Sequence, residues 1–88
     1  MRQVQFAPDA ISDLRKFKSG NQALAFKIFE LISDIQSNPF EGLGKPEPLK
    51  ENYKGFWSRR INDEHRLVYR VTNDLIIIQS CYGHYTDY

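Results

Sequence analysis

A segment rich in proline and glycine, PFEGLGKPEP at residues 39–48, divides the chain into two parts with different patterns. Proline lacks an amide hydrogen and fixes φ, so three prolines in this short stretch exclude it from a helix and from a central strand. Apolar side chains recur at helical spacing before it, whereas β-branched and aromatic residues dominate after it. The segment itself is predicted to be a stiff surface loop.

Two amphipathic helices are predicted before the proline-rich segment, following a short strand around Val4 and Phe6. The first helix starts at Pro8 and ends before Gly20, and its apolar face consists of Ala10, Ile11, Leu14 and Phe17. The second is capped by Asn21 and ends at Asn38, and its apolar stripe consists of Leu24, Ile28, Leu31, Ile32 and Ile35. Because the connection is short, the helices form a hairpin whose apolar side the rest of the chain must cover.

Three runs rich in β-branched and aromatic residues follow, at residues 55–61, 65–72 and 75–82, with short polar turns between them. This arrangement predicts an antiparallel sheet meander with the helices packed on one face. A chain of 88 residues has room for one core, since a domain of this size buries roughly 60% of the surface that its unfolded form exposes. The predicted fold class is therefore α+β, with a single domain over residues 1–88.

The residue content limits the cellular compartment in which the chain is expected and the kinds of site that it can form. Cys81 is the only cysteine, which excludes an internal disulfide and a zinc site built on several thiolates. Residues 1–6 alternate polar and apolar side chains, where a signal peptide would carry an unbroken apolar stretch. The longest strictly aliphatic run, residues 75–78, is far too short to cross a bilayer. We therefore expect a soluble, cytoplasmic protein that is not exported.

Basic side chains concentrate in the middle of the chain. Residues 1–44 hold five basic and five acidic side chains, whereas residues 45–70 hold seven basic and four acidic ones, an excess of three. Strand alternation places Arg66 and Arg70 on the outer face of the meander, with Leu67, Tyr69 and Val71 toward the helices. Two arginines on one open sheet face can hold a phosphodiester chain, although each taken singly is more often a solvated surface charge. We expect an anionic ligand in this region.

Residue type alone leaves the other candidate site residues open. In a meander the end of the last strand lies beside the middle strand, so His84 and Tyr85 are expected to approach Arg66. A histidine near a terminus is usually incidental, and residue chemistry alone favours the interpretation of Glu47, between two prolines, as a solvent-facing loop acid. The prolines nevertheless fix where its carboxylate points. Alternation puts His65 among inward-facing residues, which favours a hydrogen-bonded structural histidine over a catalytic one.

Three motifs together resemble a known family. They are PFEGLGKPEPLK at residues 39–50, GFWSRRI at residues 55–61 and EHRLVY at residues 64–69. In identity, order and spacing they closely resemble the YoeB/Txe toxins of type II toxin–antitoxin systems, within the RelE-like superfamily. The resemblance covers nearly the whole chain, including both predicted helices and the closing Cys81-x-x-His84-Tyr85 pattern. It implies a RelE-like fold, similar to that of the microbial ribonucleases.

The resemblance further implies an endoribonuclease that cleaves mRNA in the ribosomal A site and inhibits translation. The attacking group is the 2′-hydroxyl of the RNA, so the implied reaction needs neither a metal nor a cofactor. Carried over to matching positions, Glu47 is the general base, Arg66 the clamp on the phosphate and transition state, His84 the general acid, and Tyr85 a positioning or proton-transfer group. The same comparison makes Lys50, Arg59 and Arg60 additional contacts to phosphate or RNA.

The partners implied by the resemblance are the ribosome, mRNA and a cognate antitoxin of the YefM/Axe kind, with no membrane. An acidic antitoxin segment is expected to cover the basic face, and a toxin homodimer is expected within the complex. Two features depart from the family pattern. Tyr82 stands where family members often carry a basic residue, and residues 86–88 extend past the usual histidine–tyrosine ending.

Two alternative functions are compatible with this fold. One is a catalytically inactive RelE-fold module that survives as a protein-binding partner, against which the intact set of site residues argues. The other is a ribonuclease that acts on free RNA without the ribosome. An excess of three charges provides little nonspecific affinity for RNA, because such affinity grows with the number of phosphates neutralised. The ribosome-dependent reaction is therefore the preferred interpretation.

Overall fold

A strand and a helix that starts at a proline open the fold. The structure, a computed structural model, describes residues 1–17 and 22–83. The strand β1 spans Gln3–Phe6, and the helix α1 spans Pro8–Lys16. The residue before the helix, Ala7, has no side chain that can cap it. Proline suits the first helical position, since it has no amide hydrogen to satisfy. The predicted helix end at Gly20 and cap at Asn21 lie outside the described residues.

The second helix, α2, spans Gln22–Ser37, and it ends at Asn38 as predicted. The Asn38 amide closes its last turn by donating to the Asp34 carbonyl at 2.7 Å. Four members of the predicted apolar stripe are buried, and Leu24 is partly buried and packs against the same core; the buried four are Ile28, Leu31, Ile32 and Ile35. The stripe is thus confirmed as the surface with which α2 contacts the sheet.

The sheet has five strands in the order β1-β5-β4-β3-β2. The strands after α2 are β2 (Glu47–Pro48), β3 (Trp57–Arg60), β4 (Arg66–Val71) and β5 (Leu75–Ser80), and a short 3-10 helix at Glu51–Tyr53 separates β2 from β3. The pairs β2–β3, β3–β4 and β4–β5 are antiparallel, which confirms the predicted meander. Strand β1 pairs with β5 in parallel, so the sheet is mixed.

The end of the proline-rich segment differs from the prediction of a loop alone. Glu47 pairs with Ser58, and Pro48 pairs with Trp57, so these two residues form the strand at the end of the sheet order. A proline is tolerated in such an edge strand because no further strand requires its missing amide hydrogen. The rest of the segment leads from α2 to this edge.

The core lies between the helices and one face of the sheet. Leu67 and Tyr69 of β4 and Ile76 and Ile78 of β5 are fully buried there, as the alternation predicted. The opposite face carries Arg66 and Arg70, but it is not uniformly open as expected, since Val68 between them is 0% exposed. None of the helices within residues 1–17 and 22–83 is long and apolar enough to span a membrane.

A β-bulge changes which side chains of β5 face the core. Tyr69 pairs with Ile78 while Val68 pairs with Ser80, so Gln79 is an extra residue on β5. Simple alternation from Ile78 would turn Ser80 toward the helices, but its pairing places it on the face of Val68. The bulge therefore re-aims the chain just before it leaves the sheet.

Candidate active site

Three of the predicted site residues lie on one face of the sheet, on three neighbouring strands. Glu47 of β2 pairs with Ser58 of β3, and Arg60, two residues further along β3, pairs with Arg66 of β4. Paired residues share a face, and so do residues two apart on one strand. Glu47, Arg60 and Arg66 therefore project to the side opposite the helices. Two strand spacings, about 10 Å, separate β2 from β4, so one phosphodiester group fits between the two long side chains.

The exposure of these side chains suits a site that receives a large ligand. Glu47, Lys50 and Arg60 are exposed, and Arg66 is half-buried. One guanidinium nitrogen of Arg66 donates to the Asn62 carbonyl at 3.3 Å, which orients the side chain from the β3–β4 turn. Lys50 lies two residues after β2, at the same edge of the sheet as Glu47. The structure thus gathers a carboxylate and several cations at one end of the outer face.

The last described residue on the C-terminal side, Gly83, is held beside Arg66 through both of its peptide groups. Its amide donates to Nδ1 of His65 at 2.9 Å, and its carbonyl accepts from the Arg66 amide at 3.0 Å. His65 is buried, which confirms that it is a hydrogen-bonded structural residue. The chain thus reaches Arg66 at Gly83, whereas the approach to Arg66 was predicted for the next two residues. His84 and Tyr85 themselves lie outside the described residues.

The segment before Gly83 is anchored to α1. The Cys81 amide donates to Oδ2 of the buried Asp13 at 3.0 Å, and the Cys81 thiol contacts the Ala10 carbonyl with an Sγ to O distance of 3.8 Å. Lys16 forms an ion pair with the other carboxylate oxygen of Asp13 at 3.4 Å. These contacts fix the path of the chain from the end of β5 toward the candidate site.

The neighbour of Arg60, Arg59, points the other way and is fully buried. All five N–H groups of its guanidinium are used. Nε donates to the Tyr69 hydroxyl at 3.1 Å and Nη1 to the Asp34 carboxylate at 2.6 Å. The other three donate to main-chain carbonyls of the proline-rich loop and its entry, those of Asn38, Glu41 and Leu43. We call Asp34, Arg59 and Tyr69 the buried hub.

The buried hub fixes the loop that leads to β2. The Asp34 carboxylate also accepts from the Leu43 amide, and the Tyr69 hydroxyl donates to the Pro39 carbonyl at 2.8 Å. The Leu43 amide, followed by the Arg59 guanidinium, lowers the pKa of the Asp34 carboxyl, and burial raises the pKa of the Tyr69 phenol. Both groups therefore keep their hydrogen-bonding forms at neutral pH. Gly42, at a φ of +119°, leaves no room for a Cβ, which would collide with the Asp34 carboxylate.

Residues 6–85 match the family model of the YoeB-like toxins of bacterial type II toxin–antitoxin systems. The chain belongs to this family. The YoeB toxin of Escherichia coli K12 is 49% identical over 80 residues, which cover 91% of this chain and 95% of that protein. Among solved structures, the YoeB dimer from Staphylococcus aureus has a TM-score of 0.87 and 46% identity, over 96% of this chain and 98% of that one. A heterotetrameric YoeB–YefM complex from the same organism has a TM-score of 0.85 and 45% identity, over 97% and 99%.

The structure corrects one predicted contact of this YoeB-like toxin. Arg59 was expected to bind phosphate or RNA, but it is fully buried and its donors are satisfied within the protein. Only one signal in the sequence pointed to this result: alternation puts Arg59 on the same side of β3 as Trp57 and Ile61. An arginine on a core face requires a buried partner, yet nothing in the sequence singled out Asp34 as that partner.

In the described parts of this YoeB-like toxin, the acidic, histidine and cysteine side chains form no cluster of three or more that could hold a metal ion.

The hydrogen-bonding role of Gly83 was not predicted from the sequence, because a glycine carries no side chain that would indicate such a role. Gly83 adopts a φ of +95°, a main-chain conformation that favours glycine and that residue type alone does not reveal.

Cys81 of this YoeB-like toxin is expected to react slowly with alkylating reagents at neutral pH. Burial, with the Asp13 carboxylate as the next cause, raises the pKa of its thiol from 9.0 to about 12, which reduces the reactive thiolate roughly 10³-fold. The rate of iodoacetamide labelling in the native protein and in urea tests this, and no other thiol interferes since the chain has one cysteine. Equal rates in both conditions would contradict the buried placement.

Proposed function

We propose that this YoeB-like toxin is an endoribonuclease that cleaves mRNA in the ribosomal A site and so inhibits translation. The observation that supports it most directly is the common sheet face of Glu47, Arg60 and Arg66, with Gly83 hydrogen-bonded to Arg66 at its edge. His84 follows Gly83 in the chain. A carboxylate, guanidinium groups and an imidazole are sufficient for RNA cleavage by acid–base catalysis.

The proposed reaction uses the 2′-hydroxyl of the RNA as the nucleophile. Glu47 accepts its proton as the bond between O2′ and phosphorus forms, and Arg66 pairs with the nonbridging oxygens as negative charge develops on them. His84 donates a proton to the 5′-oxygen as the bond between phosphorus and that oxygen breaks. The products are a 2′,3′-cyclic phosphate and a free 5′-hydroxyl.

The remaining candidates have supporting roles in this proposal. Lys50 and Arg60 are exposed next to the proposed base and contact neighbouring phosphates. Tyr85 positions the substrate or transfers a proton. Arg59 is left out of the substrate contacts and is assigned to holding the loop that precedes β2.

The ribosome is proposed to position the substrate. The local charge excess of three over residues 45–70 gives the protein little affinity for free RNA, because such affinity depends on the number of phosphates neutralised. Ordering of the mRNA in the A site removes the entropic cost of alignment, which in favourable cases is worth about 10⁵-fold or more. A modest, exposed site is therefore sufficient when the ribosome presents the RNA.

A cognate antitoxin is the proposed protein partner. The solved YoeB–YefM complex from Staphylococcus aureus is a heterotetramer, and a YoeB dimer from the same organism has been solved. By analogy, this chain binds a YefM-like antitoxin, whose acidic segment covers the basic outer face, and it forms a homodimer. Co-expression with a YefM-like antitoxin and native purification test this assembly.

We expect Glu47→Ala to lower cleavage of mRNA on the ribosome by about 10²-fold or more, the range for loss of a general base. Wild-type and variant protein are added to a purified translation system, and transcript ends are mapped with and without ribosomes. Cuts within A-site codons by the wild type alone agree with the proposal.

Glu30→Ala is the matched control for Glu47→Ala, since it removes an exposed carboxylate from α2, on the opposite side of the sheet. It should cleave like the wild type. Cleavage of free RNA at an equal rate would instead favour a ribosome-independent ribonuclease, and absence of cleavage by the wild type would favour a protein-binding module.

A further inference from the structure

The peptide groups of Gly83 are held by two neighbouring residues of the β3–β4 region. His65 accepts from the Gly83 amide through Nδ1 at 2.9 Å, and the Arg66 amide donates to the Gly83 carbonyl at 3.0 Å. We call these two hydrogen bonds the Gly83 clamp. Because the amide and the carbonyl of a residue lie on either side of its Cα, holding both fixes the direction in which the chain continues.

His65 is itself held rigidly. Its amide donates to Oδ1 of Asn62 at 2.8 Å, and its carbonyl accepts from the Ile61 amide at 3.0 Å. Its ring meets the Phe17 ring edge to face, with centroids 5.1 Å apart, and the Tyr82 ring at 4.6 Å. A side chain with a fixed main chain and two ring contacts presents its acceptor nitrogen in one orientation.

Tyr82 adds further contacts to this packing. Lys16 lies 5.0 Å from the centre of the Tyr82 ring, and Phe17 packs against the same ring at 5.5 Å. Tyr82 thus closes over His65 and links the end of β5 to the end of α1. The aromatic ring of Tyr82 thereby keeps the histidine covered.

We propose that His65 is a positioning residue that acts through Gly83 on His84. His84 is joined to Gly83 by one peptide bond, so the Gly83 clamp fixes the point from which the chain continues to the proposed general acid. The atom that matters is Nδ1 of His65, which accepts from the Gly83 amide. This inference rests on the proposed role of His84, and it assigns to His65 a function beyond packing.

The test compares two variants of the acceptor. His65→Phe keeps a ring between Phe17 and Tyr82 but removes Nδ1, whereas His65→Asn loses the ring and keeps an acceptor close to the position of Nδ1. Single-turnover cleavage is measured on programmed ribosomes over a range of protein concentrations that reaches saturation. We expect His65→Phe to slow cleavage by about 10-fold to 10²-fold with unchanged half-saturation, since misplacement of a catalytic group by about 1 Å has effects of this size. His65→Asn should retain most of the rate.

A modified substrate separates positioning of His84 from damage to the fold. Replacing the 5′-oxygen of the scissile linkage by sulfur creates a leaving group that needs no proton, so defects that act through the general acid disappear on it. His65→Phe should therefore cleave the sulfur substrate at nearly the wild-type rate. Equal defects on both substrates, or no defect on the oxygen substrate, would overturn the inference.

A second variant removes the hydrogen-bond donor, the Gly83 amide, and leaves His65 unchanged. An ester in place of the amide between Tyr82 and Gly83 removes the N–H and adds no bulk, and ligation at Cys81 allows its synthesis. The ester protein should show the same selective loss on the oxygen substrate, so a folding failure of His65→Phe does not leave the question open. A full rate on both substrates would contradict the Gly83 clamp.

His84→Gln distinguishes failure of this inference from failure of the proposed function. If His84→Gln is slow on the oxygen substrate and recovers on the sulfur substrate, the general-acid role holds, and the two clamp variants are then decisive. If His84→Gln does not recover, the proposed role of His84 is wrong, and the inference that rests on it falls with it.

Discussion

An Arg66→Ala variant should cleave ribosome-bound mRNA about 10²-fold to 10³-fold more slowly than the wild type, equivalent to about 2.7–4 kcal/mol of transition-state stabilisation. Arg66 is half-buried, and a hydrogen bond to the Asn62 carbonyl orients its guanidinium on the outer face. In the proposed reaction, a prearranged cation of this kind stabilises charge as it develops on the phosphate, so we expect its loss to lower the rate of the chemical step. Single-turnover kinetics at saturating protein measure that step.

Arg70→Ala is the matched control for Arg66→Ala. It removes the same charge from the same strand and the same face, but Arg70 is paired with Ile77 and lies over the Phe56 ring, 5.9 Å from its centroid. We expect its single-turnover rate to stay close to that of the wild type, with any effect confined to binding. Equal losses in the two variants would show that Arg66 acts only through general attraction of RNA.

An Arg59→Met variant should be less stable than the wild type by about 3–5 kcal/mol, because removing one partner of a buried ion pair leaves the other groups unsatisfied. The groups left behind are the Asp34 carboxylate, the Tyr69 hydroxyl and three loop carbonyls. Asp34 keeps 21% of its side chain exposed, which places the expected value toward the lower end. For a domain of this size, that loss lowers Tm by more than about 10 °C.

Arg60→Met is the control for Arg59→Met, since the same substitution is made at the next residue, which is exposed on the opposite face. Its stability should change by less than about 0.5 kcal/mol. Urea unfolding followed by circular dichroism measures both variants. Similar destabilisation of the two proteins would contradict the buried hub.

The dependence of stability on pH gives a second test of the buried hub. The folded-state pKa of Asp34 is lowered from 3.8, so its carboxylate stabilises the fold above that pH, and the contribution is lost as pH falls through the lowered value. The stability difference between the wild type and Arg59→Met should therefore narrow below about pH 3.8. A difference that is constant with pH would show that the ion pair contributes nothing.

Much of this fold was predictable because the spacing of apolar residues and the residues that end helices and strands indicate the same elements. The apolar stripe of α2 and the alternation in β4 determined which faces are buried, and Asn38 and the polar turns marked where elements end. The parallel pairing of β1 with β5 was not predictable, since alternation over four residues indicates a strand but not its partner. The bulge at Gln79 was missed because alternation assumes regular pairing and does not show where a strand carries an extra residue.

The sequence identified most residues of the candidate site, but it did not show how they are arranged in space. Glu47, Arg60 and Arg66 were identified from motifs, and the register of β2, β3 and β4 then brought them to one face. Arg59 was assigned to the same group because residue type does not distinguish two adjacent arginines. Only the partners of its five donors, contributed by a helix, a strand and a loop far apart in sequence, reveal its different role.

The pairing of β1 with β5 has a consequence for synthesis of the protein. Gln3 pairs with Leu75, so β1 must wait for the synthesis of β5 before the sheet can close. At about 5–20 residues per second, translation of the intervening chain takes roughly 4–14 s. Throughout that delay a nascent chain has no completed sheet, and the folded protein can form only after β5 has been synthesised.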